Sequence, residues 1–318
     1  MNDRPMTERK PLDALAGNAM LLLCLIWGTQ QVAIKLAAPD MSPLLQVGLR
    51  SGLSALLTLG LVLREGALVD LFGPYLRHGL AVGALFGLEF VCVGEGLRLS
   101  SASHVTIFLY TAPVFAALWL GLLHRSERLR PVQWLGMALA FGGILLAFAD
   151  SGASDAAAYP HMLLGDALAL AGGLAWAATM VLVRAGRLAD APASITLLYQ
   201  LLGALVMACA MAFLLGESTV HLTLRLAAAM AYQTLIVAFL SYLAWFALLR
   251  HYLASRLGIL SFLTPVFGVL SGIAVLGERL GPAFIAGALL ILAGMLVVAL
   301  PDLVAPRAPA RPGARSGH

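Results

Sequence analysis

The feature that most limits what this chain can become is a run of apolar residues, about twenty long, that recurs ten times. The runs lie at approximately 15 to 37, 43 to 63, 78 to 98, 102 to 124, 131 to 149, 162 to 184, 194 to 215, 226 to 249, 255 to 276 and 282 to 300. A helix rising about 1.5 Å per residue needs roughly 20 residues to cross a hydrocarbon layer about 30 Å thick, and each run supplies that length. Inside lipid the backbone must satisfy its own polar groups, as a helix or as a closed barrel, and barrel strands alternate in hydropathy over about ten residues. These runs are continuously apolar, so they predict an all-α integral membrane protein with ten transmembrane helices. Composition agrees, with 61% hydrophobic and 11% charged residues and a mean hydropathy of +0.92, where a soluble domain carries about 25% charged residues. The connections reach about a dozen residues at most, which leaves no room for a soluble catalytic or nucleotide-binding domain.

The first run follows Arg9 and Lys10 and is too long for the apolar core of a signal peptide, and no small-residue cleavage site follows it; it is expected to be a retained helix. Sidedness follows from the basic residues. With the N-terminus inside, fifteen Lys and Arg fall on the inner side, and only Lys35, Arg98, Arg225 and Arg279 fall outside, with Arg50 within a segment. That bias predicts a bacterial inner-membrane protein with both termini cytoplasmic. It also accounts for the net charge of +4 and the pI near 9.2, so no nucleic-acid partner is inferred.

The chain repeats itself. Gly87 to Phe115, GLEFVCVGEGLRLSSASHVTIFLYTAPVF, matches Phe239 to Phe267, FLSYLAWFALLRHYLASRLGILSFLTPVF, at an offset of 152 that pairs Arg98 with Arg250, Ala102 with Ala254, Ser103 with Ser255 and Pro113 with Pro265. Trp27 to Lys35 aligns with Trp176 to Arg184, Arg50 falls opposite Gln200, and Glu127 to Pro131 matches Glu278 to Pro282. Five segments therefore repeat as five. Because five is odd, the second copy enters from the opposite side, giving two inverted-topology five-helix repeats. The expected boundaries are a cytoplasmic tail over 1–14, a first repeat over 15–149, a linker over 150–161, a second repeat over 162–300 and a disordered cytoplasmic tail over 301–318. Gly83 and Gly87 form a small-residue face for close helix approach. The fifth and tenth runs carry no charge, and are expected at the periphery, against lipid or as a homodimer interface.

Trp27-Gly28, Arg50, Thr111-Ala112-Pro113-Val114-Phe115 and Glu127-Arg128-Leu129, with Trp176, Gln200, Thr264-Pro265-Val266-Phe267 and Glu278-Arg279-Leu280 in the second copy, give the chain a likeness. Over roughly residues 15 to 300 it resembles the drug/metabolite transporter superfamily of the type with two EamA repeats. The resemblance implies secondary transport, usually export of amino acids, other small metabolites or drugs across a bacterial inner membrane, and does not fix a substrate. The partners expected are then a small-molecule substrate, the lipid bilayer and protons as coupling ion.

An ionisable group at the centre of a membrane helix costs about 2.5 to 3.5 kcal/mol on insertion scales, so Glu89, Glu95 and Arg50 need partners or water. At 1.5 Å per residue Arg50 lies level with the space between the two carboxylates. One reading pairs Arg50 with one of the two glutamates as a structural bridge, Glu95 having Arg98 as a second partner; Glu89, Arg50 and Glu95 are equally candidates for substrate binding or coupling, and Glu89, deeper and far from any cation in sequence, is the one expected to do substrate or proton work. Opposite Glu89 the second copy has Ser241. Further substrate-binding or coupling candidates are Trp27, Gln30 and Gln31 on one helix face, Tyr110 and Trp176, and Gln200, Gln233 and Trp245 in the second half. Pro113 and Pro265 are expected to kink their helices in matching positions, the strongest sequence pointer to a transport site.

The alternative class is an intramembrane enzyme acting on a lipid or peptide. Its signs are missing: there is no HExxH and no G-x-S-x-G, and His104, His124, His161, His221 and His251 stand at segment ends, where a wet interface explains them. Cys24, Cys92 and Cys209 lie inside apolar runs without metal-ligand spacing and read as small apolar fillers. No metal and no cofactor is expected.

Overall fold

The structure is a computed structural model that describes residues 13–123, 129–150, 158–252, 257 and 260–304. Glu127 and Arg128, Ala254 and Ser255, most of the linker and both extreme tails lie outside the described residues. The helices are α1 (Ala14–Ala37), α2 (Pro43–Arg64), α3 (Leu76–Leu99), α4 in two pieces (Ala102–Leu109 and Ala112–Leu123), α5 (Pro131–Asp150), α6 (Met162–Ala185) and α7 (Ala193–Leu214). Then follow α8, built as Leu224–Ala231, a π-helical stretch Tyr232–Leu240 and Ser241–His251, then α9 (Leu263–Leu276) and α10 (Pro282–Val304). Among the described residues nine spans are long and apolar enough to cross a membrane, and α9 is a shorter apolar helix. The protein is an all-helical, multi-pass membrane protein.

Local chemistry sets where the helices begin and end. Asp13 caps α1 by accepting from Ala16 N at 2.8 Å, and Ser42 accepts from Leu45 N at 3.2 Å ahead of Pro43 in the first turn of α2. Ser101 caps α4 and Thr223 caps α8 in the same way, each at 3.1 Å. Such caps contribute about 0.5–2 kcal/mol. Helices α2 and α7 stop at matching glycines, Gly66 and Gly216, with φ of 69° and 72°, a left-handed turn that a side chain disfavours.

The most extensive helix contacts join one half of the chain to the other: α3 lies on α6 and α7, α2 on α7, α1 on α9, α4 on α6, and α5 on α10. Glycine makes these approaches. A Cβ on Gly83 would stand 2.6 Å from the Tyr199 carbonyl oxygen, and one on Gly87 2.6 Å from that of Gly203. The expected small-residue face of α3 is thus pressed directly on the α7 backbone. For the fifth and tenth runs the structure adds a contact to the expected peripheral position. They pack on each other through Gly136, Gly143, Gly287 and Gly294, where an added Cβ would meet the opposing backbone. Only their outer faces, with Leu135, Leu145, Leu289 and Leu296, are exposed.

Side-chain bonds sort the helix ends into two groups. At one end Tyr252 donates to Asp13 at 2.8 Å, Ser194 to Glu65 at 2.5 Å, and Gln133 at the start of α5 to the Val298 carbonyl near the end of α10 at 2.9 Å. At the other end stand Lys35, Asp40, Glu217, Arg225 and Glu278, described below. Successive helices therefore run antiparallel. We refer to the Asp13 end and the Lys35 end.

Candidate functional site

A cavity of about 560 Å³ lies between the two halves, within the range of small-molecule sites. Its walls include the aromatic residues Trp27, Trp176, Trp245, Tyr110, Tyr242, Phe86, Phe90 and Phe262, and its amides are Gln30, Gln31, Gln133 and Gln200. Among the lining residues Glu89 is the carboxylate. The lining extends to Gln133 in the first turn of α5, exposed Arg184 in the last turn of α6, and Val298 and Ala299 on α10. The cavity thus reaches the Asp13 end.

Helix α4 breaks beside it, and in the second half a turn precedes α9. Proline at position i clashes with the carbonyl of residue i−4 and supplies no N–H to it. Pro113 and Pro265 place that fault at Leu109 and Ser261. The first piece of α4 ends at Leu109, and Ser261 and Phe262 form the turn before α9. The prolines accordingly sit in the first turn of a second helical piece and not at a mid-helix kink. Tyr110 and Phe262, at matching positions of these breaks, both reach the cavity.

The aromatic walls are held edge to face. Tyr110 meets Trp176 at 5.2 Å and 87°, and Trp27 meets Trp245 at 5.8 Å and 75°. Trp27 Nε1 donates to Ser241 Oγ at 2.8 Å, and Ser241 donates in turn to the Val237 carbonyl at 2.5 Å within the π-helical stretch. Wide turns of this kind are frequent at functional sites, and this one turns Ser241 toward α1.

Depth left open which glutamate stands nearer Arg50. Glu95 bonds Arg98 at 2.6 Å, and Arg98 also reaches Glu217 of the α7–α8 loop at 3.2 Å, so Glu95 does not pair with Arg50. Three residues along a helix brings Glu95 and Arg98 side by side whatever their depth. Arg50 is instead close enough to Glu89 to act on it electrostatically, with its guanidinium carbon 4.8 Å from the centre of the Phe90 ring. Glu89 therefore does have a cation in its field. Both are buried, and Arg50 Nε and Nη1 and Glu89 Oε2 have no hydrogen-bond partner among the described residues. Such groups are costly to leave unmade, and a substrate, a proton or water entering the cavity can satisfy Glu89.

Of the sequence candidates, Trp27, Gln30, Gln31, Glu89, Tyr110, Pro113, Trp176, Gln200 and Trp245 line the cavity. Gln233 does not: it donates to Gln46 Oε1 at 2.9 Å in the α2–α8 contact. Arg50, Glu95, Ser241 and Pro265 also stand off the wall. Sequence reasoning missed Tyr242, Phe262 and Arg184, although each is the repeat partner of a residue it had noted or quoted, Phe90, Tyr110 and Lys35.

The Lys35 end is tied by bonds within the first half and between the halves. Lys35 donates to the Leu97 and Ser100 carbonyls at the end of α3. Glu278 accepts from Ala102 N at 2.6 Å and Ser103 N at 3.0 Å, an anion on the positive terminus of α4. Asp166 of α6 bonds Ser100 Oγ at 2.5 Å and His104 Nδ1 at 2.7 Å. His104 is therefore not at a wet interface. It is fully buried, and its ring stacks on Phe284 at 3.7 Å. Asp40 accepts from Arg225 and Thr223, both at 2.8 Å. The Arg225 and Thr223 donors hold its carboxyl below the usual carboxylate range. Burial and the neighbouring Glu95 push Glu217 up, partly opposed by Arg98. Among the described residues no cluster of three or more His, Cys, Asp or Glu is placed to hold a metal ion.

The profile of the EamA-like transporter family matches residues 16–149 and 163–300, one match in each half. The chain belongs to this family. A protein described as "Probable amino-acid metabolite efflux pump" from Salmonella typhimurium is 30% identical over 88% of this chain and 93% of its own length. Its namesake from Escherichia coli K12 is 29% identical over the same shares. An Escherichia coli K12 protein described as "Uncharacterized inner membrane transporter YedA" is 25% identical over 82% of this chain and 83% of its own. A crystal structure at 21% identity superposes with a TM-score of 0.62 over 90% of this chain and 98% of that one, which shows the shared fold. These relatives are described as efflux pumps and transporters, not as enzymes, and this EamA chain is a membrane transporter of the drug/metabolite superfamily.

Proposed function

We propose that this EamA protein exports an amino acid or a closely related metabolite by alternating access, its two halves being inverted five-helix copies, with Glu89 carrying the coupling proton or meeting the substrate's cationic group. The observation that carries this reading is a cavity between the halves that reaches the Asp13 end, while at the Lys35 end bonds join the two halves. With both termini cytoplasmic, as the basic residues indicate, this is an inward-facing carrier ready to load. The curated relatives' names support the substrate class. Aromatic walls would hold the apolar part of such a molecule, and the amides its polar part.

The test uses purified protein in sealed liposomes preloaded with each ¹⁴C-labelled proteinogenic amino acid in turn, with and without an opposing proton gradient. Gradient-accelerated efflux of at least one amino acid is expected. Glu89→Gln should lose the acceleration at least tenfold while its melting temperature stays within a few degrees of the parent. A Glu89→Gln protein that responds to the gradient like the parent at every pH would remove Glu89 from coupling. Reporter fusions after Pro301 that score as extracytoplasmic would overturn the orientation.

A further inference from the structure

Two matched pairs stand across the α1–α8 and α6–α3 contacts. Trp27 of α1 aligns with Trp176 of α6, and Ser241 of α8 aligns with Glu89 of α3. The first pair is made: Trp27 Nε1 donates to Ser241 Oγ at 2.8 Å. The second is not. Trp176 lies edge-on to Tyr110, and Glu89 Oε2 is buried without a partner on the wall of the same cavity. The backbone already brings the second pair together. A Cβ on Gly172 would stand 3.3 Å from the carbonyl oxygen of Glu89 itself, and Trp176 is one helical turn further along the same face of α6. The equivalence of the two halves extends to neighbouring contacts. Cys24 Sγ reaches the Leu260 carbonyl at 3.2 Å, and a Cβ on Gly173 would stand 3.0 Å from that of Phe108, the residues matching Cys24 and Leu260.

In a carrier made of two inverted copies, turning from one side of the membrane to the other exchanges the conformations of the copies. A contact made by one copy in the first state is then made by the other copy in the second. We infer that Trp176 Nε1 becomes the hydrogen-bond donor to the Glu89 carboxylate when the cavity opens at the Lys35 end, as Trp27 releases Ser241. Trp176 is thus a positioning residue for Glu89, and it supplies a donor in only one of the two states. The copies are unequal in chemistry although equal in geometry. One exchange hands an indole N–H to a hydroxyl, and the other hands it to a carboxylate that carries the coupling. This rests on the alternating-access reading above.

The experiment needs no substrate. The five tryptophans are labelled with ¹⁵N at the indole nitrogen, assigned by Trp→Phe substitution, and followed by NMR in nanodiscs. The comparison is between the parent chain and chains loosened at the Lys35 end by Glu278→Gln or Lys35→Met. Loosening should move the Trp27 resonance upfield, as its bond is lost, and the Trp176 resonance downfield. Glu89→Ala in the loosened chain should abolish the Trp176 shift and leave the Trp27 shift in place. Opening at the Lys35 end is scored separately, by impermeant thiol labelling of a cysteine placed at Gln31, in a chain without its native cysteines. If that label enters from the Lys35 side and Trp27 shifts while Trp176 does not, or if the Trp176 shift survives Glu89→Ala, the inference is overturned. If the label never enters from that side in either loosened chain, alternating access itself fails and the inference falls with it.

Discussion

Gln46 shows how a polar side chain earns its place inside this bundle. It is fully buried, yet its amide donates to the Ile34 carbonyl at 3.0 Å and the Met41 carbonyl at 2.8 Å, and its oxygen accepts from Gln233 at 2.9 Å. One side chain of α2 thereby ties α1 to α8. Replacing it with leucine keeps the volume and strands the Gln233 amide without its acceptor, so Gln46→Leu should destabilise by about 1–3 kcal/mol. Thermal unfolding in detergent would read this directly, and an unchanged midpoint would refute it. Glycine matters as much: Gly87→Leu must push α3 off the Gly203 carbonyl, and overpacking of this kind costs about 1–3 kcal/mol or more. At this scale the sequence was partly legible. Glu89 stood out because an acid deep in an apolar run is expensive wherever it lies. Arg98 was legible as the i+3 neighbour of Glu95; the place of Arg50 nearer Glu89 was not, because depth orders residues along the membrane normal and says nothing about direction around it. His104 was misread for a related reason, since its acid, Asp166, is 62 residues away and meets it only because α4 packs on α6.

At the scale of the element, helix positions followed from hydropathy, but the internal breaks did not. Runs such as 102 to 124 are uniform in hydropathy, so they read as one helix. The proline rule locates the fault one turn upstream, at Leu109 and Ser261, and there the chain stops being helical. The break gives Tyr110 and Phe262 their access to the cavity. Pro113→Ala allows α4 to close into one helix and withdraws that freedom. Its expected outcome is a protein of equal or higher melting temperature that transports several-fold more slowly in the liposome assay; transport at the parental rate would mean the break is only architectural. Helices α5 and α10 carry a lesson of the opposite kind. Their lack of charge pointed to the periphery, where their outer leucines are exposed, but their glycines at 136, 143, 287 and 294 signalled a partner that the hydropathy average conceals.

At the scale of the whole molecule the two ends are unequal, and the inequality is electrostatic. Carboxylates and cations from both halves meet at the Lys35 end, where Asp40 with Arg225, Glu95 and Glu217 with Arg98, and Glu278 with the α4 terminus tie the halves together. None of these ties could be read from one half alone. Two of the carboxyls make the closure pH-dependent, with opposite signs. Asp40 is held below its ordinary value, so its contribution is complete above the unfolded pKa of about 3.9 and is lost as pH falls through the lower folded value. Arg225 is exposed, so salt also weakens this tie. Glu217 is pushed up, so the native state favours its neutral form, and its contribution is complete below about 4.3 and declines as pH rises through the higher folded value. Above its raised folded value Glu217 therefore sits ionised beside Glu95, sharing Arg98 with it. Glu217→Gln removes that strain, and at pH 7 it should slow amide exchange over the α7–α8 loop and raise the melting temperature slightly, by the equivalent of less than about 1 kcal/mol, the scale of a partly exposed pair. At pH 4, where the parent's Glu217 is itself largely neutral, the same substitution should have almost no effect. Asp40→Asn should do the reverse, loosening the loop at pH 7 and leaving it unchanged well below pH 3.9. A Glu217→Gln protein less stable than the parent at pH 7 would mean that its bond to Arg98 outweighs the repulsion from Glu95, and the account of this end as a strained closure would have to be reversed.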